Sequence, residues 1–182
     1  MERSIAYIAL FAALTAALGL VPQITLASGV PVTAQSMGIM LCGTVLGARR
    51  GFLAVLLILL LVALGLPLLS GGRGGLGVFG SPTAGFLFGF PVAAFVTGLI
   101  MERMRSVAVL PTAILASLIG GVLVLYLFGV TGMAITLKKS FFEAAALILV
   151  YIPGDLLKAV ITGLLTSGLA RARPGSLLSR PA

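Results

Sequence analysis

The feature that most constrains the fold of this chain is a long stretch without a charged residue, residues 4–48. About a quarter of the residues in an ordinary soluble domain are charged, whereas only 9% of these 182 residues are. The mean hydropathy is +1.25. A chain of this composition places its apolar surface in lipid, so the sequence predicts an integral membrane protein with a single domain over residues 1–182.

The apolar residues fall into six segments, each near the roughly 20 residues that a helix needs to cross a bilayer. The last segment is the least obvious, because residues 141–170 are too many for one straight crossing and contain Pro153. Proline suits the first turn of a helix, so we begin the sixth helix there and expect a short amphipathic helix or a surface loop at residues 138–151. The predicted fold is all-α, a compact bundle of six transmembrane helices at residues 5–21, 31–48, 51–69, 84–101, 107–130 and 153–172.

The basic residues between these segments predict the orientation in the membrane. With the N-terminus in the cytoplasm, eight arginines lie inside and three basic residues outside, which satisfies the positive-inside rule. Both termini are then cytoplasmic, and Asp155 lies at the outer face. The inside group is Arg3, Arg49, Arg50, Arg103, Arg105, Arg171, Arg173 and Arg180, and the outside group is Arg73, Lys138 and Lys139.

Several classes of function are disfavoured by the composition. The net charge of +8 arises from short clusters without interleaved aromatic residues, which argues against nucleic-acid binding. With no histidine and four acidic residues, the chain offers no motif for an enzyme or a metal site. Cys42 is the single cysteine and is expected in the core. A phosphate-binding loop is absent, since residues 132–140 have Leu137 where the second glycine belongs. We expect no cofactor and no ATP site in this chain.

Asp155 and Lys158 stand one helical turn apart at the start of the sixth predicted helix. A charged side chain in hydrocarbon costs roughly 2.5 to 3.5 kcal/mol on insertion scales, so it persists where it faces a cavity, a partner or a ligand. A carboxylate is favourable in the first turn of a helix, and Lys158 could hold a ligand carboxylate as a point charge. The alternative is an ion pair that merely neutralises itself.

Two polar, glycine-rich loops are predicted on the same outer side, at residues 22–35 and 70–82. They could cover a binding site, with Thr33 and Gln35 from the first loop and Arg73 and Gly74 from the second, where Arg73 would contact a bound anion. The glycine spacing around Gly74 satisfies a dinucleotide motif, but the strand that this motif requires is missing. The alternative is an ordinary tight connection.

The first predicted helix carries small residues at a spacing of four, Ala9, Ala13 and Ala17. Such stripes let helices approach closely in lipid. We interpret this one as a contact with an external partner, the alternative being packing inside the bundle. Internal packing is expected for the glycine sets Gly43, Gly47 and Gly51, and Gly85 and Gly89.

Motifs along most of the chain, in order, resemble the BioY family, the biotin-binding S components of energy-coupling factor transporters. They are Pro31-Val32-Thr33-Ala34-Gln35, Gly47-Ala48-Arg49-Arg50-Gly51, Ala63-Leu64-Gly65-Leu66-Pro67, the run from Gly71 to Gly77, Ser81-Pro82-Thr83-Ala84-Gly85-Phe86 and Pro153-Gly154-Asp155-Leu156-Leu157-Lys158. The chain departs from the family pattern where Ser81 and Ala84 replace glycines and where Ile58 replaces a frequent tyrosine.

The resemblance implies high-affinity capture of biotin in a bacterial or archaeal cytoplasmic membrane, together with a transmembrane coupling protein and two ATPase subunits. It also implies that Asp155 and Lys158 belong to the biotin site and that Ala9, Ala13 and Ala17 contact the coupling protein. Biotin suits these residues, since its carboxylate could pair with Lys158 and its ureido N–H groups with Asp155. A self-sufficient secondary transporter, coupled to protons through Asp155, is the alternative; a structural subunit is a third possibility.

Overall fold

The computed structural model describes residues 2–22, 24–25 and 31–180. Within these residues the chain forms seven helices and a two-residue antiparallel pairing of β1 (Ile24–Thr25) with β2 (Pro31–Val32). Short 3₁₀ segments occur at Leu76–Gly80, Leu149–Tyr151 and Pro174–Ser176. The helices are α1 (Glu2–Gly19), α2 (Gln35–Leu46), α3 (Ala48–Ala63), α4 (Ala84–Arg103), α5 (Val109–Leu137), α6 (Phe141–Ile148) and α7 (Ile152–Ala172).

The all-α fold of six helical segments is confirmed, because α6 continues through the 3₁₀ turn Leu149–Tyr151 into α7. In the described part of the chain, four segments are long and apolar enough to cross a membrane, namely Glu2–Gly19, Ala84–Arg103, Val109–Leu137 and Phe141–Ala172. The expected short helix before Pro153 is α6, and Pro153 lies in the first turn of α7. The structure thus places Asp155 in that first turn.

Three predicted helix boundaries were wrong. The second helix begins at Gln35 rather than residue 31, since Pro31 and Val32 pair with β1. The third ends at Ala63 rather than residue 69, where Gly65 has a φ of +104° and turns the chain out of the helix. The fifth helix extends beyond residue 130 and ends at Leu137. The next residue, Lys138, has a φ of +53°, which does not continue a right-handed helix. The middle of this helix, Ser117–Val124, is π-helical.

The centre of the bundle is α2, whose residues are all buried except Met37. Twelve residues of helix are about 18 Å long at 1.5 Å per residue, less than the roughly 30 Å of a hydrocarbon core. The flanking helices enclose it, so α2 need not reach both membrane surfaces. Glycines permit this close packing, as expected: a Cβ on Gly43 would lie 2.6 Å from Ala94 O, and one on Gly85 would lie 2.3 Å from Phe128 O.

One end of the bundle gathers most of the arginines, and we call it the arginine-rich end. Arg50 donates to Ser4 Oγ at 3.2 Å, which brings the starts of α1 and α3 together. The C-terminal segment crosses this end: Ser179 N donates to Val45 O at 2.9 Å, and Arg180 donates to the carbonyls of Met101, Met104 and Val107. Leu177 is buried in the core. The segment therefore ties α2 to the end of α4.

Candidate functional site

A cavity lies at the opposite end of the bundle, where α2, α4, α5 and α7 meet the loop between α3 and α4. Its empty space, counted together with the solvent-filled opening, is ≈ 660 Å³. Phe86, Phe90, Leu125 and other apolar side chains form much of the wall. Polar groups converge on it from the start of α2, the α3–α4 loop, Tyr126 of α5 and the first turns of α7.

Asp155 is buried in this wall, with 7% of its surface exposed. Its Oδ1 accepts from Lys158 Nζ at 2.7 Å and from Ser36 Oγ at 3.3 Å, and its Oδ2 accepts from Tyr126 OH at 2.5 Å. A carboxylate has about four lone-pair positions, so these bonds leave one acceptor position free. These three hydrogen bonds compensate for burying the charge. The three donors come from three different helices, α7, α2 and α5.

Lys158 lies beside Asp155, and its side chain is 16% exposed. Besides Asp155 it donates to Ser36 Oγ at 3.1 Å. An ammonium group has three N–H donors, so one remains for a ligand. Asp155 and Lys158 therefore lie together in the cavity wall, paired with one another. The pair contributes no net charge to the cavity.

Arg73 also lines the cavity and differs from Lys158 in its partners. Its Nε donates to Ser70 O at 3.2 Å and its Nη1 to Thr83 Oγ1 at 3.1 Å. Within the described residues no carboxylate oxygen lies within 4 Å of it, since the Asp155–Lys158 pair is the only ion pair found there. Burial lowers the pKa of the Arg73 guanidinium from its ordinary value, because desolvation penalises the cation. Arginine nevertheless stays charged, and three of its five N–H donors are unused.

Gln35 and Gly74 hold the α3–α4 loop over the cavity. The Gln35 side chain donates to Leu68 O at 2.8 Å and accepts from Ser70 N at 3.2 Å, so both ends of its amide bind the loop. Gly74 is not in the cavity wall; a Cβ there would lie 2.3 Å from Leu66 O. The close approach of the Gly74 backbone to Leu66 requires glycine there, and its contact with a ligand stays a prediction. Thr33 lies in the wall, as expected.

Five polar residues of the cavity wall were not predicted from the sequence, namely Ser36, Ser70, Thr83, Tyr126 and Tyr151. Ser36 joins Asp155 and Lys158 in one hydrogen-bonded group, and Tyr126 binds the second oxygen of Asp155. Tyr126 had a detectable signal, since it is the only tyrosine in the fifth predicted segment, and a buried tyrosine hydroxyl usually has a partner. Ser36 had none, because serine is common in membrane helices.

The alanine stripe lies on the outer surface of α1. Ala9, Ala13 and Ala17 are all exposed, whereas Ala12 on another face of the helix is buried. Ile5 and Leu10 beside the stripe are 64% and 60% exposed. The stripe is thus exposed rather than buried in the bundle, and packing in the core does not account for its small residues.

Comparison with known proteins gives consistent matches along the chain. The model of the BioY family matches residues 2–175. The biotin transporter BioY of Rhodobacter capsulatus is 52% identical over 99% of this chain and 100% of its own length. The probable biotin transporter BioY of Bacillus subtilis is 41% identical over 91% of this chain and 89% of its own length.

A solved structure matches the fold as well. The crystal structure of the S component for biotin from an ECF-type ABC transporter superposes with a TM-score of 0.89. The alignment covers 93% of this chain and 92% of that chain, at 28% sequence identity. The similarity of fold therefore extends over most of the chain.

Proposed function

Because this chain belongs to the BioY family, we propose that it captures biotin as the membrane-embedded substrate-binding subunit of an ECF-type transporter. The observation that carries the proposal is the cavity, which combines an apolar wall with a few converging polar groups. Biotin has the same division, with an apolar ring and tail between a polar ureido group and a carboxylate. The protein is a multi-pass membrane protein, and we place it in the cytoplasmic membrane.

The charges of the cavity match a ligand with one negative charge. Asp155 contributes −1, and Lys158 and Arg73 contribute +1 each, so the formal sum is +1. Lys158 is already neutralised by Asp155 at 2.7 Å, whereas Arg73 keeps an uncompensated charge and three free donors. We therefore assign the biotin carboxylate to Arg73 rather than to Lys158, since a guanidinium suits bidentate recognition of a carboxylate.

The ureido group is assigned to the Asp155–Lys158 pair. Asp155 has one free acceptor position, which suits a ureido N–H, and Lys158 has one free donor, which suits the ureido carbonyl. Ser36 and Tyr126 act as positioning residues, because they hold Asp155 through its two oxygens. Thr33 is proposed as a polar contact at the mouth of the cavity, and Gln35 positions the loop that carries Arg73.

Energy for uptake is proposed to come from partner subunits, a transmembrane coupling protein and two ATPases. The chain has no phosphate-binding loop of its own. The exposed stripe of Ala9, Ala13 and Ala17 is the surface that we assign to the coupling protein, since small residues allow a partner helix to approach closely in lipid. No cofactor is proposed for capture, because binding and release involve no covalent chemistry.

The proposal is tested on the solitary chain, purified in detergent. Mass spectrometry of co-purified small molecules should identify biotin, and calorimetry should give saturable binding of added biotin. Asp155→Asn should weaken binding roughly ten- to hundredfold, because hydrogen bonds to a charged group contribute about 1.5 to 3 kcal/mol. Glu2→Gln is the matched control, since it removes one exposed carboxylate at the other end of the molecule. A purified chain that binds no biotin would contradict the proposal.

A further inference from the structure

A groove opens between α3 and α4 on the outer surface of the bundle, lined by residues other than those of the biotin cavity. Its walls are Phe52 and Leu53 of α3 and Val92 and Phe95 of α4, and Arg49 closes one end. Phe52 and Phe95 meet edge to face with their ring centroids 6.5 Å apart. The groove has ≈ 790 Å³ of empty space, counted with its open side. Apart from Arg49, its lining is entirely apolar.

At the arginine-rich end, the groove runs into a basic pocket that shares Arg49 and Phe95 with it. Arg50 and Arg103 also line this pocket. Glu102 is its acidic residue, but Glu102 Oε1 accepts from the Ala48 N–H at 2.9 Å and so caps the start of α3. In the described parts of the chain, Arg49 and Arg103 are exposed and have no carboxylate oxygen within 4 Å. Their positive charge is thus uncompensated.

The length of this surface matches one leaflet of a bilayer. From Val92 to Arg103 the helix α4 rises about 16 Å at 1.5 Å per residue, and half of a hydrocarbon core is about 15 Å. An acyl chain could therefore lie along the groove while its headgroup reaches the arginines. Basic pockets between helices at a membrane surface favour anionic headgroups, and a neutral headgroup would leave the two arginines without a counter-charge.

We propose that the α3–α4 groove is a binding site for an anionic phospholipid. One acyl chain packs against Phe52, Val92 and Phe95, and the phosphate lies between Arg49 and Arg103. Charge-assisted hydrogen bonds from guanidinium groups to phosphate are strong and directional. The site is separate from the biotin cavity, which is lined by other residues at the opposite end of the bundle.

The experiment is native mass spectrometry of the full chain, released from detergent in the presence of phosphatidylglycerol or of phosphatidylcholine with identical acyl chains. The wild-type protein should retain phosphatidylglycerol in preference to phosphatidylcholine. Arg49→Gln with Arg103→Gln should reduce that retention roughly ten- to thirtyfold, since each basic residue near a membrane surface contributes about fivefold. Arg171→Gln with Arg173→Gln is the matched control, because it removes two exposed arginines at the same end of the molecule.

A second variant tests the apolar half of the site. Val92→Trp should fill the groove and reduce phosphatidylglycerol retention while leaving both arginines in place. Val92→Trp also tests the proposal if the arginine double variant fails to fold. Loss of biotin binding by that double variant would show that it has not folded. Soluble glycerol 3-phosphate should not displace the lipid, because it lacks the acyl chains.

Four outcomes would overturn the proposal. Equal loss of phosphatidylglycerol retention in the two arginine double variants would show that retention depends on total positive charge and not on Arg49 and Arg103. Displacement by glycerol 3-phosphate would assign the arginines to a free phosphate. Retention of phosphatidylglycerol by Val92→Trp at the wild-type level would remove the groove from the site. The same spectra also report the oligomeric state. A wild-type dimer that carries no lipid and that Val92→Trp disrupts would assign the groove to a second copy of this chain.

Discussion

At the scale of single residues, the sharpest prediction concerns the different roles assigned to Arg73, which binds the biotin carboxylate, and Lys158, which binds the ureido group. Arg73→Gln should lose affinity for free biotin roughly ten- to hundredfold, because a charge-assisted contact with the carboxylate is removed. The same variant should bind a biotin amide almost as well as the wild type does. Lys158→Gln should weaken acid and amide alike, since Lys158 is assigned to the ureido group and supports Asp155. Calorimetry with both ligands measures the contrast.

Arg73→Lys is the control for charge alone. It keeps the positive charge but replaces the fork that donates to Ser70 O and Thr83 Oγ1, so an intermediate loss for the acid is expected. If instead Lys158→Gln discriminates acid from amide and Arg73→Gln does not, the two roles are exchanged and the carboxylate belongs to Lys158.

Single charged residues of the site were predictable from sequence, whereas their neighbours were not. Asp155, Lys158 and Arg73 stand out because charge is costly beside apolar segments. Ser36 and Tyr126 depend on which faces of α2 and α5 turn toward α7, and that is decided by packing among helices. The close approach of the Gly74 backbone to Leu66 O was not predictable for a related reason, since it depends on how the α3–α4 loop folds back on itself.

At the scale of whole helices, the exposed stripe of α1 predicts a separation of binding from transport. Ala13→Trp should block the close approach of a partner helix without touching the biotin cavity, because Ala13 faces outward and is absent from the cavity wall. Biotin binding by the solitary chain should be unchanged. Co-purification with the energising subunits, and biotin uptake by cells, should both fall sharply.

The matched control is Leu14→Trp, which enlarges a neighbouring side chain of α1 that is 39% exposed but lies off the stripe. It should retain the energising subunits. If Ala13→Trp abolishes biotin binding, the stripe supports the bundle itself; if both variants retain the subunits, the coupling protein binds elsewhere.

Helix existence was predicted better than helix length. All six apolar segments were identified, because the number of apolar residues in each is close to the number that a helix needs to cross a bilayer. The ends were missed where one backbone conformation decides them, as at Gly65 with its φ of +104°. The π-helical part of α5, Ser117–Val124, has no marker in the sequence, since it depends on how that helix packs against its neighbours.

At the scale of the molecule, the two ends of the bundle differ in charge, and this difference predicts the orientation. The arginines near both termini and the α2–α3 connection gather at one end, while Arg73 and the biotin cavity lie at the other. The positive-inside rule predicts that the arginine-rich end faces the cytoplasm. The cavity should then open to the outside, where a capture protein must meet its ligand.

Cysteine labelling in intact cells tests this orientation in a Cys42→Ala background. Gly80→Cys reports the cavity end, because Gly80 is exposed and an added Cβ there meets nothing within 4 Å. Ser106→Cys, at an exposed position beside Met104 and Val107, reports the arginine-rich end. A membrane-impermeant maleimide should label the first variant at once and the second only after the membrane is permeabilised. The reverse pattern would mean that the cavity faces the cytoplasm. Labelling of both variants in intact cells would contradict a single fixed orientation. In either case, the charge difference between the two ends would not explain how the cavity meets external biotin.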